Sequence, residues 1–235
     1  MWIDFLCLLV LVVVTWSVAS EGPLGAGLDC LCVILAGLLA MNFFEPLAEF
    51  CTNNIAASRG WAERWDPICL IGLFAFFVWA LRSATVYLTP EFVYMRSAVF
   101  ELGRWTAALL TGYVTMAFLL TAYHTAPLPE GFLGFVPQRA NFFDLAAPDR
   151  QWLGFVHYVT EKSLNQSPPR IFDGPRVRLG DPQRPYPNEI WPSFPIRYAA
   201  RRRSITGAPQ PAPETAPVKR VQPAPSRPSG SSPGF

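Results

Sequence analysis

Four long apolar runs, separated by shorter polar segments, dominate the first 125 residues of the chain. They cover approximately residues 2–19, 24–44, 67–88 and 105–123. A helix needs about 20 predominantly apolar residues to cross a bilayer core of about 30 Å, and each run is long enough. The pattern therefore predicts an all-α membrane protein with about four transmembrane helices, followed by a Pro-rich, partly disordered tail.

The first run ends at Glu21-Gly22-Pro23, where Gly and Pro both favour termination of a helix. A cleaved signal peptide is the alternative interpretation, because Val18-Ala19-Ser20 resembles a small-residue cleavage site. Signal peptides begin with a basic segment, whereas this chain carries Asp4 and no Lys or Arg there. We therefore expect residues 2–19 to be a retained transmembrane helix.

A polar connection, residues 45–66, separates the second and third runs and is long enough to contain a short amphipathic helix. It carries Trp61 and Trp65, and tryptophan collects at the membrane–water interface. Pro67 suits the first position of the third helix. We expect this connection to lie at the surface of the membrane.

The C-terminal part is predicted to divide into a Pro- and aromatic-rich extension, residues 126–206, and a disordered tail, residues 207–235. Within the extension, an amphipathic helix is predicted over about residues 149–164, with Asp149 in its first turn. One face of this helix is apolar and carries Trp152, Phe155, Val156 and Val159. It can lie on the membrane surface or dock on the bundle, and we favour docking.

The charge distribution agrees with this division. Charged residues make up only 15% of the chain, against about 25% in a soluble domain. The stretch up to Thr125 has a net charge of −4, from five basic and nine acidic residues, and the remainder has +6. Basic residues close to the spans are balanced between the two sides, so the positive-inside rule gives no orientation. The cluster Arg201-Arg202-Arg203 weakly favours a cytosolic tail.

The sequence contains no phosphate-binding loop, no Gly-x-Ser-x-Gly and no His-Glu-x-x-His motif. Its two histidines, His124 and His157, lie in settings that need no catalytic role. The five cysteines all belong to the apolar half, where cysteine behaves as a small hydrophobic residue. We therefore predict no catalytic, cofactor-binding or metal-binding residues, no enzyme activity and no nucleic-acid partner.

Asp29 and Arg82 are the candidate intramembrane polar residues, because charges at membrane depth are costly and are usually paired or functional. One hypothesis is a buried ion pair, or a polar path for an ion or small solute. The alternative is that Arg82 reaches the interface and Asp29 lies among the headgroups at a helix start. The sequence favours the second interpretation, since both residues are near the ends of their runs.

Small residues in the apolar runs allow transmembrane helices to approach closely. The candidate helix-packing residues are Gly25, Gly37 and Gly112.

The layout of residues 1–125 resembles the colicin V production protein (CvpA) family. The resemblance rests on Trp2-Ile3-Asp4, on Ala36-Gly37-Leu38-Leu39-Ala40 leading to Glu45-Pro46-Leu47-Ala48, and on Leu102-Gly103-Arg104 leading to Gly112. It implies a bacterial inner-membrane protein linked to colicin V (toxin) production and export and to envelope maintenance. Some members carry a serine protease domain after the bundle, but this tail contains no Gly-Asp-Ser-Gly-Gly motif.

Two hypotheses follow for function. The first is a non-enzymatic membrane scaffold that contacts the lipid bilayer and a membrane or envelope protein, with homo-oligomers as a further option. The second is a channel or transporter component in which Asp29 and Arg82 belong to a polar path. Four helices enclose such a path only by oligomerising or by joining a partner.

Overall fold

The computed structural model describes residues 2–55, 59–86, 97–129, 131–136 and 140–160, together with 177–178, 190–191, 194–195 and 198. Its α-helices are α1 (Trp2–Ala19), α2 (Gly22–Asn54), α3 (Arg59–Val86), α4 (Ser97–Thr125) and α5 (Pro148–Tyr158). A single 3₁₀ turn (Phe132–Gly134) follows α4, and the two-residue strands β1 (Val177–Arg178) and β2 (Ile190–Trp191) pair antiparallel. The first four helices are long and apolar enough to cross a membrane, which confirms the predicted fold class.

The second and third helices are longer than predicted, and most of the expected polar connection is helical. α2 continues ten residues past the predicted end to Asn54, and α3 begins at Arg59. Pro46 and Pro67 therefore lie inside helices, although proline removes one backbone hydrogen bond. The extended helices persist because they bury apolar residues against each other, among them Ala48 and Leu70.

The later elements also differ in length from the prediction. α4 begins at Ser97, eight residues before the expected start, and α5 ends at Tyr158 rather than near residue 164. Residues 87–88 and 161–164, the ends of two predicted helices, lie outside the described residues. Most of the predicted extension beyond residue 160 and all of the predicted disordered tail, residues 207–235, also lie outside them.

Contacts between helices define how they run. The Cβ position of Gly22 faces the ring of Phe100, and that of Gly37 faces the ring of Phe118, so α2 and α4 run in the same direction. Gly112 of α4 faces Thr15 of α1, whereas Leu120 packs in one cluster with Ile3, so α1 and α4 are antiparallel. One end of the bundle, the Arg82 end, contains Glu21 and Arg82. The opposite end, the His124 end, contains Asp4 and His124.

Aromatic rings fill the centre of the bundle. The rings of Phe74 and Phe118 stack with centroids 4.0 Å apart, and Phe118 meets the edge of Trp152 at 6.1 Å. Alanines without exposed surface, Ala36 and Ala40, allow α2 to approach these rings closely. Large apolar side chains remain on the outside, as expected of helices whose outer surface contacts lipid.

The amphipathic helix α5 docks on the bundle, as the favoured alternative predicted. Its inward face differs from the predicted one, however. Trp152, Leu153 and Val156 are buried, whereas Phe155 is 41% exposed. The orientation follows from Asp149, which lies three and four residues before Trp152 and Leu153 and is itself buried in a contact with α4.

Candidate functional site

Two clusters of polar side chains lie at opposite ends of the bundle. At the Arg82 end, the guanidinium Nε of Arg82 lies 3.1 Å from Oδ1 of Asp29, and the same guanidinium pairs with Glu21. The Asp29 side chain is 7% exposed, whereas the Arg82 side chain is 43% exposed. The structure thus brings the two predicted residues into contact. Arg82 also reaches the surface, so both alternatives of the sequence analysis describe part of its environment.

The tight turn between α1 and α2 positions Glu21 for this contact. α1 ends at Ala19 and α2 begins at Gly22, so only two residues connect them. Gly22 has a φ of +82°, a conformation that glycine adopts without steric cost. Glu21 precedes this residue, and its carboxylate pairs with Arg82 of α3. The resulting ion triad joins the α1–α2 turn to the C-terminal half of α3.

One oxygen of the triad remains without a partner. Oδ2 of Asp29 is buried and accepts no hydrogen bond from any of the residues that the structure describes. A buried carboxylate oxygen without a donor is energetically costly. It is therefore the atom of this cluster at which a water molecule, a proton or a small cation would be stabilised.

The second cluster, at the His124 end, was not identified by sequence reasoning. Nε2 of His124 and Oδ2 of Asp149 are 2.8 Å apart, and neither side chain has any exposed surface. The Thr121 hydroxyl donates to the backbone carbonyl of Ala117 at 2.9 Å and lies 3.5 Å from the carbonyl of Asp149. The contact between His124 and Asp149 connects the last turn of α4 to the first turn of α5.

The segment between α4 and α5 is fastened to α1 at the same end. Oδ1 of Asp4 accepts a hydrogen bond of 3.0 Å from the backbone N–H of Phe143, and the rings of Phe5 and Phe143 meet edge to face. Phe143 and Asp144 have φ angles of 52° and 57°, a left-handed conformation that costs non-glycine residues about 1–2 kcal/mol each. The Asp4 hydrogen bond offsets part of that cost. Asp4, in the first turn of α1, therefore stabilises the segment between α4 and α5.

The His124 end also contains polar atoms that remain unsatisfied. Oδ1 of Asp149 and Nδ2 of Asn141 are buried and have no hydrogen-bond partner within the described ranges. No group of three or more His, Cys, Asp or Glu side chains is arranged to hold a metal ion in the part of the chain that the structure describes.

Two of the three candidate packing glycines lie at contacts between helices. A Cβ atom on Gly37 would lie 2.5 Å from the ring of Trp152, and one on Gly112 would lie 2.6 Å from the Thr15 hydroxyl. Gly25 differs, because its Cβ position faces Glu21 of the preceding turn at 3.0 Å. Gly37 and Gly112 therefore allow α5 and α1 to approach the bundle, while Gly25 leaves room beside the ion triad.

Sequence signals for the second cluster were weak. His124 and Asp149 are 25 residues apart, and His124 stands at the end of an apolar run, where a polar residue is ordinary. A signal was present in Asp149, because it shares a helix face with Trp152 and Val156. That pattern indicates a carboxylate directed at the bundle but does not identify its partner.

Comparisons of the chain with known protein families, with curated proteins and with solved structures give no match.

Proposed function

We propose that this multi-pass protein is a non-enzymatic scaffold of a bacterial inner membrane, of the type represented by the colicin V production proteins. The observation that carries the proposal is the closed interior of the bundle. The stacked rings of Phe74 and Phe118, together with Trp152, occupy the space between the two polar clusters. A single chain with this interior is suited to presenting surfaces to partners rather than to conducting a solute.

The separation of the two polar clusters along α2 and α4 supports this interpretation. Asp29 precedes Gly37 by eight residues, which corresponds to about 12 Å along a helix. On α4, Phe118 lies before His124, so the aromatic layer stands between the Arg82 end and the His124 end. An ion moving from Asp29 towards Asp149 would have to pass the buried rings of Phe74, Phe118 and Trp152.

The outer surface of α3 offers a place for a partner. α3 packs mainly on α2, and its other side carries large exposed apolar residues, including Trp79 at 66% exposure. In a membrane this side of α3 contacts either lipid or a helix of another protein, because lipid tails are as apolar as leucine side chains. The resemblance to the CvpA family adds the context of toxin export and envelope maintenance.

The test is complementation of colicin V export in a bacterial strain that lacks its own CvpA-type protein. The wild-type chain is expected to restore export, with its abundance in the inner-membrane fraction measured by immunoblot. The double variant Asp29→Asn/Arg82→Gln removes the charges but keeps polar groups of similar size. A scaffold tolerates this change, so export should be restored to the wild-type level at equal abundance. Failure of the wild-type chain to restore export would contradict the family assignment.

A channel or transporter component is the second candidate, favoured by the unpartnered Oδ2 of Asp29. It predicts proton or cation flux when the purified chain is reconstituted in vesicles, and loss of that flux in Asp29→Asn. It also predicts that the double variant fails to restore export although its abundance is normal. The scaffold predicts no flux above that of empty vesicles for either protein.

A further inference from the structure

The helix α5 is too short to cross a membrane, yet it packs beside helices that are long enough to do so. It has 11 residues, a length of about 16 Å, which is about half of a bilayer core of about 30 Å. We propose that α5 is a re-entrant helix that enters the bilayer at the His124 end, and that its outer face, with Phe155 and Tyr158, contacts lipid acyl chains. This inference does not depend on the proposed scaffold role, because it concerns only where α5 lies in the membrane.

The first helix shows where the two membrane surfaces lie. α1 has 18 residues, a length of about 27 Å, so its whole length is needed to cross the hydrocarbon core. Trp2 and Trp16, near its two ends, are exposed, as is common for tryptophan at membrane surfaces. Trp16 meets Trp105 of α4 with ring centroids 6.4 Å apart, so Trp105 lies near the surface at the Arg82 end. His124 is about 28 Å farther along α4 and therefore lies near the other surface.

Contacts with α4 place successive residues of α5 at increasing depth. Asp149 meets His124 at 2.8 Å, near the membrane surface. One turn later, the ring of Trp152 meets the ring of Phe118 with centroids 6.1 Å apart. Phe118 lies about 9 Å inward of His124 along α4. The helix α5 therefore starts at the surface and runs towards the centre of the bilayer.

Two further contacts agree with this depth. The ring of Trp152 also packs against Gly37, where a Cβ atom would lie 2.5 Å from it. Gly37 is about 22 Å along α2 from Gly22, which stands at the Arg82 end, so Gly37 lies within the hydrocarbon core. The hydroxyl of Tyr113, near the middle of the membrane-spanning part of α4, donates a hydrogen bond to Oε1 of Gln151.

The chain returns to the His124 end after α5. Phe194 has no exposed surface, and its ring meets the ring of Phe44 with centroids 6.3 Å apart. Phe44 lies about 10 Å beyond Gly37 along α2, in the direction of the His124 end. The chain thus enters and leaves at the same end, which distinguishes a re-entrant helix from a transmembrane one.

The two faces of α5 have different surroundings. Trp152, Leu153 and Val156 are buried against the bundle, whereas Phe155 and Tyr158 are 41% and 55% exposed. Side chains that are exposed at the depth of Trp152 face hydrocarbon. A helix suits this position because its backbone groups form hydrogen bonds within the helix.

The experiment measures the depth of residue 155 in the full-length protein, reconstituted in vesicles of phosphatidylcholine and phosphatidylglycerol. A nitroxide spin label is attached to the Phe155→Cys variant, and its collision rates with O₂ and with a water-soluble nickel chelate are measured. O₂ concentrates among the acyl chains, whereas the chelate remains in water. The five native cysteines are buried, and wild-type protein treated with the same label gives their background.

Two matched variants calibrate the measurement. Leu109→Cys places the label on the exposed side of α4 within the membrane, and Asn53→Cys places it near the end of α2, beyond the membrane. We expect the label at residue 155 to collide with O₂ as often as the label at residue 109. It should collide with the chelate several times less often than the label at residue 53. A label at residue 155 that behaves like the one at residue 53, or that is shielded from both reagents, would overturn the proposal.

A second measurement needs no substitution. The wild-type protein in the same vesicles is photolabelled with an apolar diazirine that dissolves among the acyl chains, and the labelled residues are identified by mass spectrometry of peptides. We expect label on Phe155 and Tyr158 as well as on Leu109. Labelling of Leu109 without any label on residues 148–158 would contradict the proposal, even if the Phe155→Cys variant failed to fold.

Discussion

His124 and Asp149 connect α4 to α5 through a contact of 2.8 Å between two side chains that have no exposed surface. The contact forms where the chain turns back onto the bundle after the fourth transmembrane helix. It explains why α5 presents Trp152 and Leu153 inwards and leaves Phe155 partly exposed. The composition of α5 would also suit the membrane surface, but this contact holds the helix on the bundle.

His124→Ala should release α5 from the bundle. Removal of one member of a buried hydrogen-bonded pair leaves the other without its partner and costs about 1–3 kcal/mol. We expect a lower unfolding temperature in detergent and faster backbone hydrogen exchange within α5. The matched control is His157→Ala, which changes a less buried histidine that belongs to α5 itself. Equal effects of the two substitutions would contradict the role assigned to the pair.

Gly37→Ala should also disturb α5, although it adds only one methyl group. The new Cβ would lie 2.5 and 2.8 Å from two ring atoms of Trp152, which is packed against Phe118. Overpacking of this kind costs about 1–3 kcal/mol. Thermal unfolding should show the loss, and hydrogen exchange should place it in α5.

Gly72→Ala is the control for Gly37→Ala. A Cβ on Gly72 would meet no atom within 4 Å, so stability should stay constant or rise slightly because alanine favours helix formation. A Gly37→Ala protein as stable as the Gly72→Ala protein would show that Trp152 moves aside without cost.

Gly112→Ala should weaken the contact between α1 and α4. Its Cβ would lie 2.6 Å from the Thr15 hydroxyl and 2.9 Å from the backbone carbonyl of Leu11. A backbone atom cannot move aside as a side-chain end does, so the helices must separate, at a cost of about 1–3 kcal/mol. Unfolding of the purified variant measures this cost. Gly27→Ala, whose Cβ would meet no atom within 4 Å, should remain close to the wild type.

Arg82→Gln should destabilise the Arg82 end by leaving Asp29 and Glu21 close together without a cation. The expected loss is about 1–2 kcal/mol, because the exposed part of Arg82 is screened by solvent. Addition of Asp29→Asn should recover part of it, since the buried charge is removed at the same time. A double-mutant cycle on unfolding free energies measures this coupling.

The pair of Arg104 and Glu101 provides the comparison for Arg82. These residues are three positions apart on α4, and the Glu101 side chain is 55% exposed. Such pairs contribute less than about 1 kcal/mol, so Arg104→Gln should have a smaller effect than Arg82→Gln. Additive losses for Asp29→Asn and Arg82→Gln would argue against coupling within the triad.

The apolar pattern was sufficient to predict four membrane-compatible helices, and α1 has the predicted bounds, Trp2–Ala19. Polarity and proline were misleading between residues 45 and 66. The local sequence shows that Pro46 costs a helix one hydrogen bond. It does not show that Ala48 is buried against α3, which offsets this cost. Helix ends are set by such contacts as much as by local preference.

The sequence by itself determined the fold class, because the length and hydropathy of each run decide whether a helix suits a bilayer. It also identified Asp29 and Arg82, since charges within apolar runs are conspicuous. Only the tertiary structure decided that Arg82 pairs with both Asp29 and Glu21, and that His124 meets Asp149. Each contact joins residues from different elements, and the relative positions of packed helices depend on how all their side chains fit together.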